Sequence, residues 1–465
     1  MLTPHVSESP GGPLNQTAVG EALDSARISP RFWYLIGMVG VLALWDVFDA
    51  SSLSYALPAI AKEFKLTLSD IGWIGSATLW GAAFGSFIWG WLADRWGRRL
   101  ALVLAVLLFG LLTGLTGIAA SVAFLLGARF LAGLGIGGMT PIGSAFIAET
   151  TPTRVRGSAV AIVGWAAPVG ILFAALLGRW IVPNFGWRWL FAIGAIPIAF
   201  AILAQLTLPE SPRWLVAKFR PDPDRARVQL RSLGISDSAI DVAATESAKL
   251  PAAQVPPAGK LSDLLAPEFR RTTLLLFSAW FLFSFAGWGF NVFLPTIYVQ
   301  VYHISLLTTL NYTILIACAM LVSRAITVTI IDRVGRKPLM LFGAVTAGIC
   351  AYALQYATTE SSLVILAALY AGLLDFVLLP TQVYAAELYP ARIRATGCAW
   401  VGAFGRIGGA CAPTVVGYVL GWSNVSGLWL LMGTVTLVGG VLIFFIKQET
   451  AQVSLEVVSK GAAAA

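Results

Sequence analysis

Six ionisable side chains stand inside long apolar runs of this chain, where an unpaired charge is costly. They are Asp46, Asp49, Arg129, Arg324, Asp375 and Arg406. A charged group at membrane depth costs a few kcal/mol or more, so each should face the interior of a helix bundle and have a partner. A buried acid can take up and release a proton, and an arginine can bind a carboxylate through its planar guanidinium fork.

Asp46 and Asp49 are three residues apart, so they project from nearly one face of a helix. Asp49 lies roughly 25 Å from the start of its run, and Arg129 lies about 30 Å above Glu149, which places both in the outer half. Two acids beside one arginine form the arrangement expected of a carboxylate that loads and releases a proton. The alternative is a static Asp49–Arg129 ion pair that only fixes helix packing.

Three further charges are candidates for anion binding. Asp375 lies about 18 Å above Glu387, and Arg406 lies about 14 Å above the start of its run, so both are near the midplane. Either Asp375 is a resting partner of Arg406 that an anion displaces, or the two residues form a permanent structural pair. Arg324 is only about 12 Å deep. It is either a second anion ligand or a side chain that reaches back to the aqueous edge.

Aromatic side chains inside the runs could form the wall of a flat binding site. They are Trp80, Trp165, Trp280, Trp288 and Tyr384, with Asn291 and Gln382 as candidate polar contacts. Most of the 17 Trp residues are expected to be interfacial anchors or packing groups. Together with an inward-facing arginine, this group favours an aromatic or otherwise flat carboxylate as ligand.

The elements that carry these residues are predicted by composition. The chain is 58% hydrophobic and 12% charged, with a mean hydropathy of +0.80, whereas a soluble protein carries about 25% charged residues. The runs reach the roughly 20 residues that a membrane-spanning helix needs. The twelve predicted spans are 32–60, 70–93, 100–120, 123–148, 157–181, 187–207, 272–300, 307–331, 338–358, 362–386, 396–420 and 425–446. The four cysteines fall inside these runs without CxxC spacing, which favours buried thiols over disulfides or metal ligands.

Two charged signatures recur at a constant offset of 238 residues. The segment 94–99 (DRWGRR) returns as 332–337 (DRVGRK), and the ExxPxRxR pattern that begins at Glu149 returns at Glu387. A constant offset across half a chain indicates a duplicated unit. The sequence therefore predicts an all-α membrane protein whose twelve helices form two pseudo-symmetric six-helix bundles.

The predicted organisation has five parts. They are a disordered cytoplasmic tail at 1–31, a first bundle at 32–208, a cytoplasmic linker with short helices at 209–271, a second bundle at 272–446, and a cytoplasmic tail at 447–465. When the loops are assigned to alternate sides, 24 of the 31 Lys and Arg residues fall on the side of the termini and the linker. This asymmetry predicts that both termini and the central linker are cytoplasmic.

The motifs resemble those of the major facilitator superfamily over nearly the whole chain. The segment 90–99 (GWLADRWGRR) resembles the loop signature between spans two and three, and 129–137 (RFLAGLGIG) resembles the span-four motif. The segment 209–215 (PESPRWL) is similar to a signature of sugar porters and organic-ion transporters. The segments 46–49 (DVFD) and 404–409 (FGRIGG) look most like bacterial carriers of aromatic acids and nicotinate, although those carriers usually have glycine where this chain has Val47.

The resemblance implies a proton-coupled transporter in which a span-one acid faces a span-four arginine, which favours Asp49 over Asp46 as the coupling acid. The recurring loops offer a second function, a charge latch that holds the two halves together in one state of the transport cycle. The latch candidates are Gly90, Asp94, Gly97, Arg98, Arg99, Glu149, Arg154, Arg156, Glu210, Arg213, Asp332, Gly335, Arg336, Lys337, Glu387, Arg392 and Arg394. The alternative is that these are only positive loops that set topology, with acids that cap helices.

These features favour a secondary transporter that carries a small organic acid, such as a benzoate-like or nicotinate-like compound, together with protons. A sugar or organic-cation transporter and a drug efflux antiporter are the alternatives within the superfamily. A membrane-embedded enzyme is disfavoured because the chain has no HExxH or GxSxG motif, and a nucleotide-driven pump because it has no GxxxxGK[ST] loop. The expected partners are substrate, protons and lipid, with no cofactor, metal or nucleic acid, and the expected state is a monomer.

Overall fold

The computed structural model describes residues 14–217, 221–249 and 260–450, which form nineteen helices and no strand. Helices α1 to α9 are Gln16–Ser25, Pro30–Phe64, Leu68–Trp96, Arg98–Thr116, Val122–Thr150, Thr153–Gly164, Ala166–Phe185, Trp187–Ile193 and Pro197–Thr207. Helices α10 to α13 are Pro212–Ala217, Pro223–Ser232, Asp237–Lys249 and Leu261–Leu264. Helices α14 to α19 are Arg270–Gln300, Leu306–Val334, Arg336–Leu354, Glu360–Leu388, Ala391–Trp422 and Val425–Phe444.

Twelve segments of the described chain are long and apolar enough to cross a bilayer, which confirms the predicted number of spans. Ten of them are single helices. The fifth span combines α6 and α7, and the sixth combines α8 and α9. Large apolar side chains remain exposed along the spans, as expected for helices that face lipid. The protein is a multi-pass membrane protein.

The two halves of the molecule, α2–α9 and α14–α19, are built from the same helix pairings. In the first half α2 packs on α7, α3 on α5, and α4 on α5. In the second half α14 packs on α18, α15 on α17, and α16 on α17. The duplication predicted from the loop signatures is therefore present in the fold. Glycine makes the α3–α5 contact possible, since an added Cβ at Gly133 would lie 2.1 Å from the carbonyl oxygen of Thr78.

Successive spans alternate in direction, so both described chain ends and the two repeated loops lie on one side, here named the terminal face. The other side is named the opposite face. The halves meet tightly near the opposite face, where α3 begins and α18 ends. A Cβ at Gly72 would lie 2.6 Å from the carbonyl oxygen of Pro413, and one at Gly417 would lie 2.5 Å from that of Leu68. No side chain larger than hydrogen fits at either glycine without movement of a backbone.

Hydrogen bonds between the halves also lie near the opposite face. Ser76 Oγ accepts from the backbone N of Thr414 at 3.0 Å and lies 2.7 Å from its Oγ1. Arg179 Nε donates to Asn311 Oδ1 at 2.6 Å. Throughout the described ranges, each hydrogen bond that joins the halves is of this kind, close to the opposite face. The halves are therefore joined at the opposite face, and no hydrogen bond between described residues joins them towards the terminal face.

One prediction about the termini was wrong. Residues 16–25, expected to lie in a disordered tail, form helix α1. Asn15 caps this helix, and its buried residues recur at helical spacing, which gives an apolar stripe that packs on α12. Asp24 then accepts hydrogen bonds from the backbone N and the Oγ1 of Thr153, where α6 begins. Residues 1–13 of the predicted tail and residues 251–259 of the predicted linker lie outside the described residues.

Candidate functional site

Asp49 on α2 and Arg129 on α5 form a fully buried ion pair. Arg129 Nη1 lies 2.8 Å from Asp49 Oδ1, and Nη2 lies 3.2 Å from Oδ2. The two side chains are 1% and 0% exposed. Thr113 also donates to Asp49 Oδ1 at 2.8 Å, and Arg129 Nε donates to Thr78 at 3.0 Å. Every strong donor and acceptor of the pair is thus used inside the first half.

Asp46 has a different environment, although it stands on the same face of α2. Its side chain is 7% exposed, and Oδ1 has no hydrogen-bond partner. The charged groups that act on it are Asp49 on its own helix and Arg406 on α18. Arg406 in turn is influenced by Asp46 and forms no ion pair or hydrogen bond among the described residues. An acid of one half therefore faces an unpaired arginine of the other half.

The expected pairing of Asp375 with Arg406 is wrong. Asp375 on α17 instead pairs with Arg324 on α15, with 2.7 Å between Arg324 Nη2 and Asp375 Oδ1. The Arg324 side chain is 17% exposed, and its guanidinium is held by this pair. Depth along each helix placed Asp375 and Arg406 together, but α17 packs more extensively on α15, which carries Arg324, than on α18. This pair leaves Arg324 Nε and Asp375 Oδ2 without partners.

Two tryptophans of α14 lie against the glycines that surround Arg406. A Cβ at Gly405 would lie 2.1 Å from Trp280 Nε1, and one at Gly409 would lie 2.5 Å from Trp288 Cδ1. The glycines therefore let the indole rings approach the backbone of α18 beside the arginine. Trp280 is 9% exposed and Trp288 is partly buried. This arrangement provides flat apolar surfaces next to a cation, which suits a planar anion.

The remaining substrate candidates divide into two groups. Asn291 is half-buried and donates to the carbonyl of Gly287 on its own helix, and Gln382 is exposed. Both stay candidate contacts. Tyr384 is not one, because it is fully buried and its hydroxyl donates to the backbone carbonyl of Gln448 at the terminal face. Of the other aromatic candidates, Trp80 stacks on the exposed Phe84, and Trp165 lies at the break between α6 and α7.

The first copy of the loop signature forms a charge cluster on the terminal face. Arg98 Nη1 lies 2.6 Å from Asp94 Oδ1, and Arg98 Nε lies 3.2 Å from Glu149 Oε1. Ser211 Oγ donates to Glu149 Oε2 at 2.6 Å. The cluster therefore joins the ends of α3, α4 and α5 to the segment that follows α9.

Glu210 completes this first cluster through the backbone. Its Oε1 accepts from the backbone N of Arg99 at 3.0 Å, which places a carboxylate at the start of α4. Arg99 Nη1 also donates to the carbonyl of Leu208 at 2.9 Å. Gly97 has φ +106°, and an added Cβ would lie 2.3 Å from Glu210 Oε2. Gly97 is thus required by its backbone conformation and by contact, whereas Gly90 has open space around it.

The second copy repeats the cluster with the corresponding residues. Arg336 Nη2 lies 2.8 Å from Asp332 Oδ1 and 2.9 Å from Glu387 Oε1. Thr450 donates to Glu387 Oε2, as Ser211 does to Glu149. Glu449 accepts from the backbone N of Arg336 at 3.1 Å and from that of the next residue, Lys337, at 2.9 Å. Gly335 has φ +100°, as Gly97 has.

Glu449 and Thr450 are therefore the counterparts of Glu210 and Ser211, and sequence analysis missed them. It assigned 447–465 to a tail, of which residues 447–450 are described and packed against the second half. The signal was present, since an acid followed by a hydroxyl residue recurs 239 residues after Glu210. Such a short pair was too weak to recognise without the geometry.

The two clusters do not clamp the halves together in this conformation. Each joins helices within one half, because Arg98 and Glu149 lie on adjacent helices of the first half, as Arg336 and Glu387 do in the second. Their role in a transport cycle stays a prediction. Within the described residues, no group of His, Cys, Asp or Glu is placed to hold a metal ion.

Several basic latch candidates bind other groups. Arg154 donates to the carbonyl of Ala26 after α1, and Arg394 donates to the carbonyl of Tyr389 at 3.1 Å. Arg392 is exposed. Two further arginines, Arg156 and Arg213, lie close together. Burial, reinforced by repulsion from Arg156, lowers the pKa of Arg213 from its ordinary value.

Comparison with known proteins agrees with this architecture. A family model described as "Sugar (and other) transporter" matches residues 29–461. The chain is 29% identical over 439 residues to the niacin transporter NiaP of Acinetobacter baylyi, covering 93% of this chain and 98% of that protein. It is 27% identical to the 4-hydroxybenzoate transporter PcaK of Pseudomonas aeruginosa, covering 86% of this chain and 89% of that protein. The inward-open structure of the xylose transporter XylE from E. coli is similar in fold, with a TM-score of 0.74 at 18% identity, covering 92% of this chain and 99% of that one.

Proposed function

We propose a substrate and a driving ion for this protein on the premise that the chain belongs to the sugar (and other) transporter family, and so is a membrane transporter and not an enzyme. The proposed substrate is a small organic acid with an aromatic or otherwise flat frame. The proposed driving ion is the proton. Transport proceeds by alternating access, in which the two halves open in turn to each side of the membrane.

The unpaired guanidinium of Arg406 is the observation that carries the substrate proposal. Placing an arginine inside a span costs free energy unless an anion pairs with it, and the acid that influences Arg406 is Asp46, which forms no ion pair with it among the described residues. A substrate carboxylate would accept two hydrogen bonds from the guanidinium, while Trp280 and Trp288 flank a flat ring. The names of the niacin and 4-hydroxybenzoate transporters, both carriers of planar aromatic acids, support the same class of substrate.

The proposed proton site is the acid pair on α2, with Arg129 as its basic partner. Asp46 and Asp49 are both buried, and only Asp49 is held by Arg129. When two acids lie close together in a buried site and only one of them is held by a cation, the other can gain and lose a proton. Neutralising a carboxylate in this site would change the charge between the halves, and so couple proton movement to their opening and closing.

We further propose that the terminal face is the cytoplasmic face of the bacterial inner membrane. The excess of Lys and Arg on that side supports this orientation. With the halves closed at the opposite face, the described conformation then opens to the cytoplasm. A monomer contains both halves of the binding site, so a second copy is not required.

Uptake into proteoliposomes tests the proposed function. Vesicles whose interior is alkaline relative to the medium should accumulate radiolabelled nicotinate, benzoate or 4-hydroxybenzoate. Collapse of the pH gradient should abolish this accumulation but leave the exchange of labelled for unlabelled acid across the membrane. Xylose and a quaternary ammonium compound serve as the neutral and cationic probes. Gradient-driven accumulation of xylose or of the cation, with no uptake of any acid, would refute the carboxylate proposal.

A further inference from the structure

Asp46 combines three properties that set it apart from the other buried acids. It is more than nine-tenths buried, its Oδ1 has no donor, and it stands on the face of α2 that meets Arg406 of the other half. Asp49, one turn further on, is saturated by Arg129 and Thr113. Asp375 has Arg324 as its partner. Asp46 therefore has one nearby cation, Arg406, and it is the cation to which the substrate carboxylate is proposed to bind.

The charges around Asp46 leave no other group to balance it. Arg129 of α5 is bound to Asp49, and Asp49 is a second negative charge on the same helix. The remaining charged residues on helices packed against α2 lie towards the ends of those helices. They are Asp70, Asp94, Arg95, Arg98, Arg99, Glu149, Arg154, Arg156, Arg179, Arg188, Arg270 and Arg271.

We propose that Asp46 and the substrate carboxylate compete for Arg406, so that the substrate binds only when Asp46 takes up a proton. This inference rests on the proposed function and assigns the substrate-linked proton to one residue. In the empty transporter, the Asp46 carboxylate neutralises Arg406 across the space between the halves. When a carboxylate substrate binds Arg406, Asp46 loses this counter-charge and becomes the neutral acid.

Charge balance gives the reason for this exchange. The empty site holds one negative charge on Asp46 and one positive charge on Arg406. Entry of an anionic substrate alone would leave an uncompensated negative charge inside the membrane, at a cost of a few kcal/mol or more. One proton, taken from water on the side from which substrate enters, converts the Asp46 carboxylate to a carboxylic acid and restores neutrality. Substrate and proton then leave together on the other side, and the Asp46–Arg406 interaction re-forms.

The same argument separates Asp46 from Asp49. Protonation of Asp49 would weaken the charge-assisted bonds from the two nitrogens of the Arg129 fork and leave that cation buried without a charge partner. Protonation of Asp46 sacrifices no hydrogen bond at Oδ1, because none exists. Asp49 and Arg129 are accordingly positioning residues that hold α2 against α5 and keep Asp46 turned towards Arg406.

Proton uptake on ligand binding tests the inference. Titration calorimetry of the purified protein in buffers of different ionisation enthalpy counts the protons taken up per benzoate or nicotinate bound. We expect about one proton for the wild type at neutral and alkaline pH, with Kd rising about tenfold per pH unit. In Asp46→Asn the count should fall by one and Kd should lose its pH dependence, whereas Asp46→Glu should retain both. Asp375→Asn, a matched change at another buried acid, should leave the proton count unchanged.

The outcomes separate this inference from the function on which it rests. If the wild type binds either acid without proton uptake, the inference is overturned and the carboxylate proposal stands. The inference also fails if Asp46→Asn still takes up a proton, or if the proton is lost in Asp375→Asn instead. If neither acid binds, the proposed substrate class is refuted and the inference falls with it. Should Asp46→Asn not fold, the wild-type proton count and the Asp46→Glu variant decide the result.

Discussion

Arg406 is the residue on which substrate affinity should depend most directly. Arg406→Lys keeps the positive charge but loses the planar fork that bonds both carboxylate oxygens, so we expect affinity for the transported acid to fall by about tenfold or more. Arg406→Ala should lower it further. Arg324→Lys is the matched control, because the guanidinium of Arg324 is held by Asp375. Competition of the unlabelled acid in exchange assays measures these affinities, and an equal loss in both lysine variants would remove the special role of Arg406.

The Asp49–Arg129 pair should matter for stability as well as for transport. Arg129→Gln leaves the Asp49 carboxylate buried with Thr113 as its remaining donor, and breaking a buried pair in this way costs about 3–5 kcal/mol. The double variant Asp49→Asn with Arg129→Gln removes both charges and should recover most of that loss. Thermal unfolding in detergent measures the effect. Additive destabilisation in the double variant would contradict the assignment of a direct pair.

Single residues also show where sequence reasoning succeeds and where it stops. The Asp49–Arg129 pair was predictable because depth along the helices and a family resemblance pointed to the same two residues. The pairing of Asp375 was not, because depth cannot tell which of two arginines stands on the neighbouring helix. The prediction that Tyr384 contacts substrate was wrong for a related reason. Position within a span does not show whether a side chain faces the space between the halves or the packed interior of one half.

At the level of helices, α1 and its attachment give a prediction about pH. Although burial alone would raise the pKa of Asp24, hydrogen bonds from Thr153 hold it below its ordinary value. A carboxyl with a depressed pKa stabilises the docked helix above the pKa of the free acid, and this contribution is lost as pH falls through the pKa in the docked state. Asp24→Asn should therefore free α1 at neutral pH as acid frees it in the wild type.

Hydrogen exchange read by mass spectrometry over residues 16–25 measures the docking of α1. Faster exchange is expected in Asp24→Asn, and Ser25→Ala provides the control because Ser25 bonds only within α1. Unchanged exchange in Asp24→Asn would show that packing on α12 alone holds the helix. Neither α1 nor the contacts of Glu449 and Thr450 with the second charge cluster were predicted from the sequence. Each depends on a few polar atoms that meet residues more than 60 positions away, which no local pattern reveals.

For the whole molecule, the twelve spans and the duplication were predictable because both are properties of every conformation of the chain. Apolar length and a repeat at constant offset do not change when the halves move. The closed seam at the opposite face was not predictable, because Gly72, Ser76, Thr414 and Gly417 touch across the halves in this state and would separate in the other state of the proposed cycle. A sequence that supports two states carries no pattern that selects one of them.

Because glycine makes that seam possible, a larger residue there should shift the balance between the states. A Cβ at Gly417 would meet the backbone of α3, so Gly417→Leu should keep the halves apart at the opposite face. Gly421→Leu is a matched control on the same helix, since nothing lies within 4 Å of a Cβ at that position. In a cysteine-free background carrying Ser76→Cys, an impermeant maleimide added from the opposite face should label the thiol several-fold faster in Gly417→Leu. Transport should slow in that variant, because the closed state is part of each proposed cycle.

Equal labelling in the two leucine variants would mean that the seam closes by other contacts. The glycines of α3 and α18 would then serve only packing within this state.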